Sequence, residues 1–316
     1  MAERTFPRPV DDSLRALSGD RVLGASSLLG TAAGAFFALS SASPATNARQ
    51  FVSESEDLVR EIIAVQPLMA PFYNLGAAVL DGSDPLLSLP KLKKAVSHAA
   101  ARFSEQAEKG QKKACRFGAG LVNDGARILT ISSSSAVLGS LELARKDWKK
   151  FCVIVLESRP MLEGRIAARQ LAALQIPVEI ATDASLASEV RRADQVLVGA
   201  DALTEEVLVN KMGTLAIAMV ANEAGVPMFA VADGSKLLPD AILPESDRSR
   251  NPNEVWEGAP QGVTVRNRYF ERMPQKYIKT TAMEDGPCKS EDIFRKLEKS
   301  GPGLEKLAGL LGKSGS

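Results

Sequence analysis

A carboxylate, an amide and an ammonium lie close together in one stretch of this chain, as Asp201, Asn210 and Lys211. The apolar run 195–200 ahead of them reads as a buried strand that delivers Asp201 to its carboxyl end. From Thr214 the sequence reads as a helix whose first turn lies beside Lys211. In open α/β sheets ligands sit outside the carboxyl ends of the strands, and a helix N-terminus with a nearby lysine suits a phosphate. The group therefore suits a phosphorylated, hydroxyl-rich ligand; a capped turn with a solvated lysine fits the same spacing. A second group is the hydroxyl run Thr130 and Ser132, Ser133, Ser134 and Ser135, where a strand from Arg127 runs into a helix. Hydroxyls there cap the helix or hydrogen-bond a phosphate. A third group follows the apolar run 151–156: Glu157, Ser158, Arg159 and Pro160, then Glu163, Gly164 and Arg165. An arginine just beyond a strand is free to grip an oxyanion through two parallel hydrogen bonds.

The elements that position these groups fall into two halves. Residues 13–39, 46–66, 68–81 and 88–114 read as helices, and the character changes near Gly118–Gly125. Beyond it strands are expected at 127–132, 151–156, 178–182, 195–200 and 228–232, with helices at 135–147, 163–174, 185–193 and 213–225 between them. Repeated βα units with short loops argue a parallel sheet covered on both faces. The expected fold class is α/β: an N-terminal helical domain (1–115) followed by a Rossmann-like, mainly parallel sheet flanked by helices (116–316). The Gly-, Lys- and Ser-rich tail from about 300 is expected to be mobile. Gly118 and Gly120 offer half of a dinucleotide fingerprint, placed before the first clear strand instead of after it, which argues against a nicotinamide cofactor.

Composition narrows the classes further. With 316 residues, 45% hydrophobic and 24% charged, the chain can bury one or two ordinary cores. A formal charge of +1 gives no general attraction to nucleic acid. Cys115, Cys152 and Cys288 lack metal spacing and read as reduced thiols of a cytoplasmic protein. The single histidine, His98, excludes a multi-His site and reads as a surface residue; no metal or cofactor is expected. The stretch Leu23–Ala42 is long enough to span a bilayer. Its glycines and hydroxyls fit close helix packing better, so no membrane partner is expected.

Several blocks, in order, resemble one family: 128–132 (Ile-Leu-Thr-Ile-Ser), 153–164 (Val-Ile-Val-Leu-Glu-Ser-Arg-Pro and Glu-Gly), 196–202 (Val-Leu-Val-Gly-Ala-Asp-Ala) and 210–214 (Asn-Lys-Met-Gly-Thr). They are similar to the alpha, beta and delta subunits of eukaryotic initiation factor 2B, and equally to the related methylthioribose-1-phosphate and ribose-1,5-bisphosphate isomerases. The likeness is close over about 118–285, continues at Asn251–Trp256 and Tyr269–Pro274, and is looser before 100, chiefly at Gln66–Asn74. It implies a sugar-phosphate cleft between the two domains and a homodimer. It also implies acid–base work by Asp201, with Ser132 beside it, and ligand contacts from Gly24, Gln66, Ser133, Ser134, Arg159, Asn210 and Lys211.

The departures bear on chemistry. Where the isomerases carry a catalytic cysteine this chain has Ser132, and a hydroxyl lacks the acidity of a thiol. Leu23 and Gln66 stand where the isomerases place arginines. The connection from Asp201 to Asn210 lacks the family's usual Asn-Gly or Asp-Gly turn. Two readings stay open: a non-catalytic binder of a sugar phosphate or nucleotide, like the initiation-factor subunits, or an aldose–ketose isomerase with an altered substrate.

Overall fold

The computed structural model describes residues 6–19, 24–298 and 301–313. Its first layer is helical: α1 (Arg8–Gly19), α2 (Ala25–Ala42), α3 (Ala48–Val65), α4 (Ala70–Gly82) and α5 (Leu89–Leu121). The Asn47 side chain caps α3, accepting from the Gln50 N–H at 3.0 Å. Helical spacing of Phe51, Leu58, Val59, Ile62 and Ile63 turns one face of α3 into the core. The helix expected over 13–39 is two helices, α1 and α2; Leu23 lies between them, outside the described residues. No helix among the described residues is long and apolar enough to cross a membrane.

The boundary expected at 115/116 falls inside α5. Leu92, Val96 and Ala100 pack among the other N-terminal helices, whereas Ala114, Cys115 and Ala119 pack beneath the sheet. Gly118 lies within α5 where the segment carrying Ser140 passes so close that a Cβ would lie 2.2 Å from Ser140 Oγ.

The main sheet is ordered β10-β9-β7-β4-β1-β2-β3. Its parallel strands are β1 (Arg127–Ile131), β2 (Cys152–Leu156), β3 (Val178–Ala181), β4 (Gln195–Val198), β7 (Met228–Val231) and β9 (Thr280–Met283); β10 (Gly286–Cys288) is an antiparallel edge. Alternate side chains fill opposite faces. Ile128, Val153, Leu197 and Phe229 face α5, α6 (Ser135–Lys146) and α7 (Glu163–Ala173). Leu129, Ile154, Val196 and Ala230 face α8 (Leu186–Arg192), α9 (Thr214–Ala224) and α10 (Ser290–Leu297). Cover on both faces is why the central strands β1, β2, β4 and β7 read as largely apolar runs.

Three features depart from expectation. Residues 201–210 form a hairpin, β5 (Ala202–Leu203) and β6 (Val207–Lys211), which β8 (Phe270–Pro274) joins as a second, antiparallel sheet. Thr204 Oγ1 accepts from the N–H groups of Glu206 and Val207 at 3.1 and 3.0 Å, turning the chain without an Asn-Gly pair. The main sheet gains β9 and β10, which no apolar run announces. The tail expected to be mobile forms α11 (Pro302–Leu310), seated on α4 with Leu307 in the N-terminal core.

Candidate functional site

The strand order reverses between β1 and β4. The chain steps outward through β1, β2 and β3, then returns to β4, β7 and β9 on the other side of β1. At such a switch point the loops leaving the two central strands diverge and open a crevice. Ser132–Ser134 leave β1 there and Asp201 follows β4, so topology brings the hydroxyl turn and the carboxylate to one opening. The N-terminal helices close it from above, leaving a cleft lined by Gly24, Gln66, Ser132, Ser133, Ser134, Asp201 and Asn210, among others.

The turn after β1 is tightly specified. Ser132 has φ +67°, a left-handed conformation that costs a non-glycine residue energy, and its N–H donates to Ser158 Oγ at 2.7 Å. Ser158 Oγ donates in turn to the Leu156 carbonyl at 3.0 Å. Ser134 caps α6, accepting from the Val137 N–H at 3.4 Å. Gly199 makes this packing possible: a Cβ there would stand 2.2 Å from Ser134 Oγ.

Asp201 is pinned on both sides of its backbone. Its N–H donates to the Val209 carbonyl at 2.8 Å and its carbonyl accepts from the Ala70 N–H at 2.9 Å. The Ala25 N–H in the first turn of α2 lies near enough to favour its charged form. Burial pushes the carboxyl up to about 6, against the opposing pull of Lys236, Lys211 and that N–H. An acid in this range exchanges protons near neutrality.

Glu163 opens α7 at the cleft wall, where Gly164 lets the helix start against β2; a Cβ at 164 would meet the Leu156 carbonyl at 1.9 Å. Its Oε1 accepts from Lys211 Nζ at 2.6 Å. Its Oε2 is buried with no hydrogen-bond partner among the described residues. Burial raises the Glu163 carboxyl, with Lys211 opposing.

Two residues expected at the site, Lys211 and Arg159, are not among those that line the cleft. Lys211 is 2% exposed, tied to Glu163 and 5.1 Å from the Tyr269 ring centre, and does not line the cleft. Arg159 is exposed and donates to the Val255 carbonyl at 3.2 Å. The Asp183 carboxylate takes the N–H groups of Ser158 and Arg159, at 2.8 and 2.6 Å, and fixes that turn. Gln66 lines the cleft but is no cation; its Oε1 accepts from Arg250 Nη2 at 2.8 Å. Arg250 also pairs with Asp247 at 2.9 Å and lies over the Tyr269 ring at 4.7 Å. Asn210 donates to Thr214 Oγ1 at 3.0 Å.

Two lining residues went unremarked in the sequence: Asp233 and Lys236, in the loop after β7. The signal available was their place, a charged Asp-Gly-Ser-Lys run at the carboxyl end of another parallel strand. No group of metal-ligating side chains suited to an ion occurs among the described residues.

N-terminal helices followed by a mainly parallel sheet, with the switch-point crevice beneath the helical layer, define an α/β class. The particular family follows from comparison. The model of the initiation factor 2 subunit family matches residues 21–290, and the chain belongs to that family. It is 32% identical over 282 residues to a putative translation initiation factor eIF-2B subunit 2-like protein of Pyrococcus furiosus, covering 89% of this chain and 96% of that one. It is 31% identical over 265 residues to the ribose 1,5-bisphosphate isomerase of Methanocaldococcus jannaschii, covering 82% and 85%. Among solved structures, the Pyrococcus horikoshii OT3 translation initiation factor eIF-2B superposes with a TM-score of 0.79 at 29% identity, over 91% of this chain and all (100%) of that one. The 5-methylthioribose 1-phosphate isomerase of the same organism shares the fold, with a TM-score of 0.69 at 22% identity over 92% and 87%.

Proposed function

We propose that this protein binds a phosphorylated sugar, or a nucleotide carrying one, in the switch-point cleft, with Asp201 facing the sugar carbons. The observation that carries this reading is the placement of Asp201. A carboxyl raised to about 6 lies in a crevice with the serine turn of α6 on one side and the first turn of α2 on the other. Exposed N–H groups at helix starts favour an anion, and a carboxyl near neutrality is equipped to move a proton. The likeness to a ribose 1,5-bisphosphate isomerase supports the same ligand class. Phosphorylated sugars are intracellular metabolites, which accords with a cytoplasmic protein.

The test is a thermal-shift and calorimetric screen of pentose phosphates, hexose phosphates, methylthioribose 1-phosphate and nucleoside monophosphates. A true ligand at 100 to 1,000 times its dissociation constant stabilises the fold by ~3–4 kcal/mol. Ser133→Asp, which places a negative charge beside the proposed phosphate seat, is expected to abolish the shift. A silent panel, or a Ser133→Asp variant that binds like wild type, ends the reading.

A second reading, ligand binding without turnover as in a regulatory translation-factor-like subunit, follows if Ser132 is the counterpart of the isomerases' catalytic cysteine, since a hydroxyl lacks the acidity of a thiol. In either case the working form is proposed to be a homodimer. Met219 on α9 and Trp256, 55% and 51% exposed, supply apolar surface for it. Sedimentation at micromolar concentration as a clean 33.6 kDa monomer rejects the dimer.

A further inference from the structure

The helix α11 stands beyond the residues that the family model matches, 21–290, and it lies across a seam between the N-terminal layer and the loop after β7. On the α4 side, Gly303 comes so close that a Cβ there would meet the Ala77 carbonyl oxygen at 2.5 Å. Leu307 comes within 3.5 Å of where a Cβ on Gly76 would stand. Lys306 Nζ lies 3.4 Å from both the Leu80 carbonyl and the Asp81 carboxylate. On the loop side, Lys313 donates to the Ile242 carbonyl. Leu238, Ile242 and Leu243 of that loop share one core with Leu307.

The same seam carries contacts that shape the cleft. Through α4 the N-terminal layer reaches two strand-end loops. The Ala70 N–H donates to the Asp201 carbonyl at 2.9 Å, and Asn74 Nδ2 donates to the carbonyls of Ser235 and Leu237 at 2.9 and 2.7 Å. The Leu238 N–H donates to the Leu203 carbonyl at 2.9 Å, which laces the loop after β7 to the hairpin that follows Asp201. One helix therefore sets how the roof meets the floor of the cleft, and α11 binds that helix to one of the floor loops. None of the described residues of α11 lines the cleft, so it acts from outside.

We propose that α11 is a clasp on the cleft. Docked, it holds α4 against the loop after β7 and keeps the N-terminal layer closed; undocked, it frees the contacts of Ala70 and Asn74 to open. Docking and ligand binding are then linked, and the linkage is reciprocal: a molecule held between the layers favours the docked helix by the factor by which the docked helix favours the molecule. The ligand half of the proposal rests on the reading above; the closure does not. The helix suits a movable part. At 9 residues it is too short to persist as an isolated helix, so undocking and unfolding go together. Its lysine at 306 and the partner Asp81 are half exposed, which leaves Leu307 and its apolar neighbours as the main attachment.

The test compares the full chain with a chain ended after Glu298 and with Gly303→Val, which drives a branched side chain into the Ala77 carbonyl and touches nothing in the cleft. Amide hydrogen exchange reads closure without a ligand. The Ala70 and Leu238 N–H groups are expected to exchange at least ~10-fold faster in both variants, while the amides of β1 and β2 keep their rates. Those unchanged sheet amides also show that the variants fold. The sugar phosphates and nucleoside monophosphates of the panel above probe the linkage. One that binds the full chain is expected to bind both variants at least ~5-fold more weakly and to slow exchange in α11 by a similar factor. Unchanged exchange at Ala70 and Leu238, or an equal rise throughout the sheet, overturns the clasp, since α11 would then be a passive cover or part of the global fold. A probe that binds all three chains equally overturns it as well. A silent panel ends the ligand reading alone, and the exchange pattern still decides the clasp.

Discussion

Two buried lysines stand near Asp201 in opposite circumstances. Lys211, at the end of β6, is spent on the protein: Glu163 takes its ammonium at 2.6 Å and the Tyr269 ring covers it. Lys236, in the loop after β7, is held by others at the backbone while its ammonium is left without an acceptor. Both influence Asp201 electrostatically, and Lys236 more strongly. The contrast is one of surroundings: Lys211 is fully partnered inside the protein, whereas Lys236 lines the cleft.

The largest effect expected is on turnover. On the proposed reading that Ser132 is the counterpart of a catalytic cysteine, isomerisation of methylthioribose 1-phosphate or ribose 1,5-bisphosphate is expected to be slower by ~10²–10⁴-fold than in thiol-bearing enzymes. A coupled assay on Ser132→Cys should recover part of it, and adding Leu23→Arg and Gln66→Arg should recover more if binding also limits the rate. Wild-type turnover near the ordinary enzyme median of ~10 s⁻¹ would break this expectation. It would move the proton transfer to Asp201.

Next comes the stability difference between the lysines. Lys211→Met strands Glu163 in the interior and is expected to cost ~3–5 kcal/mol in urea unfolding; Lys211→Met with Glu163→Leu should recover most of it. Lys236→Met breaks no ion pair and should cost less than ~1 kcal/mol. Equal losses at the two positions would erase the distinction.

Asp201 connects the two and gives a pH signature. Its carboxyl is raised from 3.8 to about 6 on folding, so between those values the folded state binds more protons than the unfolded one. Stability from this group is present below about pH 4 and lost as pH rises through 6, by about 3 kcal/mol. Asp201→Asn should flatten that fall when melting is followed from pH 4 to 8. An unchanged pH slope would place the Asp201 carboxyl in its ordinary range.

Smaller effects belong to the turn. Gly199→Ala pushes a Cβ against Ser134 and is expected to cost ~1–3 kcal/mol by overpacking, with weaker ligand binding. Ser134→Ala removes only the α6 cap, for ~1 kcal/mol. A neutral Gly199→Ala would show that the serine turn has room to move.

The strands and helices of the parallel sheet were legible because their periodicity is local. Residues 127–131, 152–156, 195–198 and 228–231 are largely apolar runs bounded by turn chemistry, 178–181 alternates, and each falls within its expected range. Membership of the initiation factor 2 subunit family was legible too, because its motifs are short and ordered along the chain. Asp201, Ser132, Ser133 and Ser134 could be named from their positions at strand ends, and topology brings them to the same cleft.

What the sequence could not determine depended on segments far apart in the chain. Residues 280–283 and 286–288 form strands because β7 offers an edge to pair with, and 270–274 because β6 does. The tail from 302 becomes α11 because α4 presents an apolar face to cover. Lys211 and Lys236 look alike as residues in a strand-end loop or turn. Only folding shows that Glu163, far from Lys211 in sequence, takes one ammonium and that nothing among the described residues takes the other, since partnership of a buried charge is a tertiary property.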